Sequence, residues 1–343
     1  MNFLATYQSL FDHMLVNMLL AMSQYIVLRA GVFSLGTAGF TALGAYGSAI
    51  LITKAGWPPA FAIVFGVALG TLASALLALP LARLRGVFQA VATLAFVQIV
   101  LSGTQNWQSL TNGALGISGI PHSVGTGTLV LIGALVVGLT VSLGRYSFGR
   151  ALDVIREDET VAVSLGISVP WHQRRAFIIS GALAGLAGGL HASSSYSIMP
   201  TDYGFALMVA TLAMVVLGGR TTVWGAIVGA IVLTALPELF RVFAQYRNVV
   251  QGLLLMLVIV YLPRGVADTL IAMARDRRLR GALNPSQWTN EEFPHDEERS
   301  RHHYQRRRPA ARGDHRSAAS ADPRELPAPR HSRSHGRVGR HLR

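Results

Sequence analysis

Within the apolar part of the chain, the longest charge-bearing stretch lies between two strongly apolar blocks. Between an uncharged block at Leu129–Leu143 and another at Ala176–Leu190 lies Gly149–Gly166, GRALDVIREDETVAVSLG, flanked by Arg145, Arg174 and Arg175. Within it, Leu152, Ile155, Thr160 and Val163 recur at three- to five-residue steps, and no proline intervenes before Pro170. The spacing predicts a short amphipathic helix, one side apolar and one charged, ending at Gly166 as a C-cap glycine. Two readings follow: a solvated loop helix, or a charged handle held between membrane spans for something outside the bilayer to grip.

Catalytic chemistry has little to work with. Lys54, in ITKAGW, is the chain's only lysine. It lacks the preceding glycine and following Ser or Thr of a phosphate-binding loop, so no nucleotide site of that kind is predicted. HExxH and GxSxG motifs are absent from the sequence, and there are no cysteines for disulfides or thiolate metal sites. His13 and His191 fall within apolar segments, where a histidine is read first as a hydrogen-bonded structural residue, although an ionisable group at membrane depth always merits a test. Glu238 follows Pro237 near the end of an apolar run. The histidines after His295 lack ligand spacing, and no metal site is predicted.

The elements that position these residues are membrane spans. The chain has 343 residues, 51% hydrophobic and only 14% charged, well below the roughly 25% charged of a soluble domain. Apolar runs at about 10–29, 37–53, 58–81, 87–104, 126–144, 175–197, 204–218, 223–243 and 248–263 predict an all-α polytopic membrane protein of about eight or nine spans. One or two glycine-rich runs are candidates for broken or re-entrant segments. The start, MNFLATYQSLFDH, lacks the basic n-region of a secretory signal.

Arg29, Arg83, Arg85, the arginines of 145–175, Arg220 and Arg264 fall on one side if the N-terminus lies outside, which makes that side cytoplasmic. Lys54, Arg241 and Arg247 fall on the other. Trp57 and Trp107 sit where interfacial aromatics are expected, and TNGALGISGIP (111–121) reads either as a flexible connector or as an outer surface that meets a delivered ligand or docking protein. Gly181, Gly185 and Gly189 repeat every four residues, as do small residues in SLGTAGFTALGAYG, a pattern that lets helices approach closely in lipid. A rarer reading has these glycines and Ser34 break a helix beside a polar pathway. Residues 271–343, rich in Arg, His, Pro and Ser, predict a basic, disordered cytoplasmic tail after a transmembrane domain at 1–270. Much of the chain's net charge of +13 belongs to that tail.

The stretch GRALDVIREDETVAVSLGI, followed by AFIISGALAGLAGGL, resembles the M-type permease subunits of branched-chain amino-acid ABC importers. The likeness extends through LAMVVLGGRTTVWGAIVGAIVLTALPELF, LRGVFQAVATLAFVQIV, NWQSLTNGALGISGIP and SLGTAGFTALGAYGSAIL, covering about Gln24 to Gly265. The resemblance implies a helical inner-membrane permease that is not itself an enzyme. It would pair with an H-type permease, two cytoplasmic ATP-binding subunits that hold the ATP and Mg, and an extracytoplasmic amino-acid-binding protein. No cofactor would be bound by this chain, and no nucleic acid is expected. The family's coupling helix carries a loose Glu-Ala-Ala-x-x-x-Gly pattern. Aligned on Gly166, it places Ala162 in register, with Thr160 and Val161 at the Glu and first Ala positions and Glu159 one residue early. Arg150, Arg156, Glu157, Asp158 and Glu159 would then be the charged groups of the ATPase-coupling surface. Selectivity would rest on the binding protein, leaving Ser34, Thr93, Gln98 and Asn112 as candidates for a weakly polar translocation path. Importers of urea or short amides in the same family, a stand-alone secondary carrier, and a membrane scaffold acting through its tail are the alternatives.

Overall fold

The computed structural model describes residues 3–239; the expected span at 248–263 and the basic tail lie outside the described residues. Eight apolar helices form the body: α1 (Phe3–Arg29), α2 (Thr37–Thr53), α3 (Pro59–Leu81), α4 (Val87–Asn106), α6 (Thr126–Arg145), α9 (Val169–Ser194), α10 (Phe205–Gly218) and α11 (Val223–Leu239). A single turn, α5 (Gln108–Thr111), follows α4, and two short helices, α7 (Ser147–Glu157) and α8 (Glu159–Ser164), lie between α6 and α9. By length and composition, six helical segments can cross a membrane: those at 8–29, 59–81, 87–106, 126–145, 169–194 and 200–218. The helices at 37–53 and 223–236 are apolar but shorter. The described part of the chain is therefore an all-α polytopic fold.

Helix ends follow local chemistry. Pro59 opens α3 and Pro170 sits in the first turn of α9, positions where a missing N–H costs nothing. α9 begins before the apolar run does, so Arg174 and Arg175 lie inside it, with the Arg175 guanidinium 3.4 Å from the centre of the Trp171 ring.

The glycine stripes are packing surfaces. α2, α3 and α9 make the most extensive helix contacts among the described elements. A β-carbon on Gly44 would lie 2.4 Å from the Gly185 carbonyl oxygen, and one on Gly185 would lie 2.7 Å from that of Gly66. Three backbones thus meet where any side chain would push them apart. α1 packs beside this trio through a buried apolar face that includes Leu19, Met22, Tyr25 and Ile26.

Two connections carry more structure than loops. Beyond Ala30, whose N–H still reaches the Ile26 carbonyl, the chain to residue 36 runs back along α1 without helical bonding, and Gln24 of α1 donates to the Ser34 carbonyl at 2.8 Å. The Thr93 hydroxyl accepts the Leu35 N–H at 3.0 Å, and the Ser34 hydroxyl accepts that of Gly36 at 3.1 Å. Irregular backbone buried among spans is tolerated because these groups are satisfied within the protein. At the opposite end, β1 (Ile117–Ser118) pairs antiparallel with β2 (Ser197–Ile198), in register Ile117 with Ile198. The 111–121 segment is thus a built element: Asn112, Gly113, Gly116 and Gly119 all adopt positive φ.

Candidate functional site

The charged insert folds as two helices rather than one. α7 ends at Glu157, Asp158 is extended (φ −157, ψ 118), and α8 restarts at Glu159. The break has a local cause. Asp158 Oδ1 accepts the Thr160 N–H at 2.7 Å and the Val161 N–H at 3.3 Å, with the Thr160 hydroxyl donating to the same oxygen, so the residue caps a new helix instead of continuing the old one. These bonds, the Thr160 hydroxyl first, hold the Asp158 carboxyl below its ordinary range. At the other end Gly166, at φ +78, lets its own N–H reach the Val163 carbonyl and the Ile167 N–H reach the Ala162 carbonyl. That is a Schellman closure, as the glycine's position predicted.

Ala162 is fully buried and packs with Ile155 and Val169, while Val161, Val163 and Leu165 are 50%, 63% and 66% exposed. α8 is therefore seated by its alanine and shows aliphatic side chains outward. Around them, Glu157 and Arg150 are exposed; Arg150 donates to the Arg145 carbonyl, and Arg156 pairs with Glu157 at 3.0 Å.

Four ties hold the pair to the ends of the spans. Arg29 of α1 makes two parallel bonds, each 2.7 Å, to the Asp153 carboxylate of α7. Gln173 of α9 donates to Glu159 at 3.3 Å and to the Ala30 carbonyl at 3.4 Å. Arg156 donates to the Arg220 carbonyl in the α10–α11 turn at 3.2 Å. Arg85, between α3 and α4, lies 3.5 Å from Glu159. The connections read from the sequence as one side of the membrane, those carrying Arg29, Arg85, 145–175 and Arg220, thus gather at one end of the molecule. Lys54 donates to the Ser109 carbonyl at the other end.

The four polar candidates for a path do not form one group. Ser34 and Thr93 are neighbours across the 30–36 segment, buried and bonded to backbone. Gln98 is exposed on α4, on the same face as Ser102 and Gln105, an uncharged polar stripe at positions i, i+4 and i+7 of an apolar span. Asn112 is exposed in the outer connection, in the left-handed conformation at φ 58.

A cavity of about 450 Å³ lies at the end opposite α7 and α8, lined by His13, Val16, Asn17 and Leu20 of α1, Thr41 of α2, His191 of α9, Leu207 of α10 and the 195–203 connection. His13 and His191 meet edge to face at 6.0 Å, and His191 Nδ1 is hydrogen-bonded to the Tyr203 hydroxyl at 3.0 Å. Sequence reasoning found the two histidines but not their meeting. No periodic signal links positions so distant in the chain; the juxtaposition comes from α1 packing on α9.

The family described as branched-chain amino acid transport system / permease component matches residues 10–260. The chain is 32% identical over 275 residues to the high-affinity branched-chain amino acid transport system permease protein LivM of Escherichia coli, an alignment covering 70% of this chain and 65% of LivM. It is 35% identical over 156 residues to the autoinducer 2 import system permease protein LsrC of an Enterobacter species, covering 43% of each. It is also 29% identical over 133 residues to the permease protein LivH of Escherichia coli, covering 38% of this chain and 43% of LivH. No solved structure matches the chain.

Proposed function

The chain belongs to the branched-chain amino acid transport permease family, as a multi-pass protein of the inner membrane, and from that premise we propose that it is the membrane-spanning subunit of an ATP-driven importer of amino acids. Its relatives are transport permeases rather than enzymes. Hydrolysis is assigned to separate ATP-binding subunits on the inner side, and the solute to an extracytoplasmic binding protein that delivers branched-chain or similar amino acids. A second, H-type permease completes the conduit; matches to both LivM and LivH favour pairing of two such chains.

The observation that carries this reading is α8. Aliphatic side chains exposed on a short helix beyond the spans, ringed by Arg150, Arg156, Glu157 and Glu159, make a protruding contact for a protein groove. The ties of α7 and α8 together to α1, α9 and the α10–α11 turn give a displaced α8 something to move. A push is transmitted through the Arg29–Asp153 fork and the Gln173–Glu159 bond to helices that run the depth of the bilayer. Alternating access then follows from rotation of those helices against α2 and α3.

The test is copurification of the full chain with its co-expressed genomic neighbours. Val161→Asp combined with Leu165→Asp is expected to release the ATP-binding subunit and abolish coupled uptake while membrane insertion stays intact. Uptake that persists without ATP or any partner would overturn the reading in favour of a stand-alone carrier. Charge reversal at Asp158 or Glu159 is less clean, because the first caps α8 and the second is bonded to Gln173.

A further inference from the structure

The cavity opposite the coupling pair combines features that recognise one kind of solute. Asp202 is the one carboxylate among its described lining residues. Asp202 Oδ2 accepts the Met199 N–H at 2.8 Å, which fixes the group and leaves Oδ1 for a second donor. His191 Nδ1 and the Tyr203 hydroxyl lie 3.0 Å apart, and in the tautomer that accepts the hydroxyl proton at Nδ1 the imidazole presents its Nε2–H as a donor. Ser195 and Ser197 add hydroxyls, and Val16, Leu20 and Leu207 supply an aliphatic wall. A fixed anion, neutral donors and an apolar wall within one cavity match an ammonium, a carboxylate and a short aliphatic side chain. The volume falls in the usual range for small-molecule sites, about 300–1,000 Å³.

We propose that this cavity is a solute site for zwitterionic aliphatic amino acids. In it Asp202 takes the ammonium, His191 and the serine hydroxyls take the carboxylate, and Val16, Leu20 and Leu207 take the side chain. The proposal rests on the transport reading given above and assigns the site within it. Its placement fits a transport step. α1, α9 and α10 line the cavity at one end, and at the other α1, α9 and the α10–α11 turn are held by α7 and α8. His13 stands 16 residues before Arg29 on α1, about 24 Å along the helix. A stroke on α8 therefore acts on the helices that form the solute's walls.

The chain's lack of cysteine gives a clean probe. Ser197→Cys, made in the full chain in vesicles with its co-expressed partners, is labelled with N-ethylmaleimide with and without leucine. Labelling is expected to slow about tenfold at a leucine concentration about ten times its Kd, while Ser168→Cys at the opposite end reacts at an unchanged rate. Isopentylamine and 4-methylpentanoate, each lacking one charge, are expected not to protect at that concentration. Asp202→Asn is expected to raise the leucine concentration for half-protection at least tenfold. If Ser197→Cys disturbs the fold, Ser195→Cys serves in its place. Labelling unaffected by leucine in a Ser197→Cys or Ser195→Cys chain that still takes up leucine would overturn the site; equal protection by either singly charged analogue would overturn its ligand class. Loss of the transport reading shows separately, as wild-type vesicles that take up no amino acid.

Discussion

Asp158 decides the shape of the inner surface. Because its carboxyl is held below the ordinary range by the Thr160 hydroxyl and two N–H groups, its contribution to α8 is present at neutral pH and above the unfolded carboxylate value of about 3.9. It is lost only as pH falls through the lower folded value. Amide protection factors over 159–164, taken relative to the intrinsic exchange rate at each pH, should accordingly be steady from pH 7 to 5 and fall below about 4. Asp158→Ala should unprotect the same amides at neutral pH, whereas Asp158→Asn keeps an acceptor and should retain most of the protection. The sequence offered this residue as a charge facing a partner. An acid immediately before Glu-Thr-Val is also a helix-start pattern, and that signal was there to be used. At the outer end, Gly116 adopts φ 72, ψ −169, and a β-carbon there would lie 2.0 Å from the Ile198 carbonyl oxygen. Gly116→Ala should cost roughly 1–3 kcal/mol from backbone strain alone, read as a lower melting temperature and faster exchange in β1 and β2.

At the scale of elements, the Arg29–Asp153 fork ties α7 to the end of α1. Asp153 is 40% exposed, so solvent screens the pair, and Asp153→Asn should cost about 1–2 kcal/mol, at the low end for charge-assisted bonds. Coupled uptake should fall further than stability does, because the mechanical tie is lost with the bond. The exchanged pair Arg29→Asp with Asp153→Arg should recover part of the uptake, and recovery no better than additive in a double-mutant cycle would show that the tie is not used. Most spans were legible because hydropathy alone sets their length: α2, α3, α4 and α6 lie within two residues of the expected bounds. Polar backbone chemistry was less legible. The 30–36 segment and the β1–β2 pair depend on partners such as Gln24 with Ser34 and Ile117 with Ile198, which no local periodicity connects.

For the whole molecule, the resemblance stated from the order of the glycine-rich spans and the charged insert agrees with family membership over residues 10–260. The cavity of His13, His191 and Asp202 stayed hidden for the reason that applies to β1 and β2: three distant segments build it. The exposed stripe Gln98–Ser102–Gln105 belongs to this scale too. Uncharged polar groups on an apolar span favour a protein or water-lined face over lipid. Gln98→Leu should therefore leave insertion unchanged and weaken copurification of the second permease; unchanged pairing and uptake would return the stripe to the lipid face.

The central claim, that α8 is where an inner-side ATPase grips the permease, is tested most directly by Val161→Cys in the otherwise cysteine-free chain. A membrane-impermeant maleimide should label the introduced thiol only from the inner face, and co-expression of the ATP-binding subunit should shield it. Labelling from the outer face, or inner-face labelling at the same rate with and without that subunit, would contradict the account.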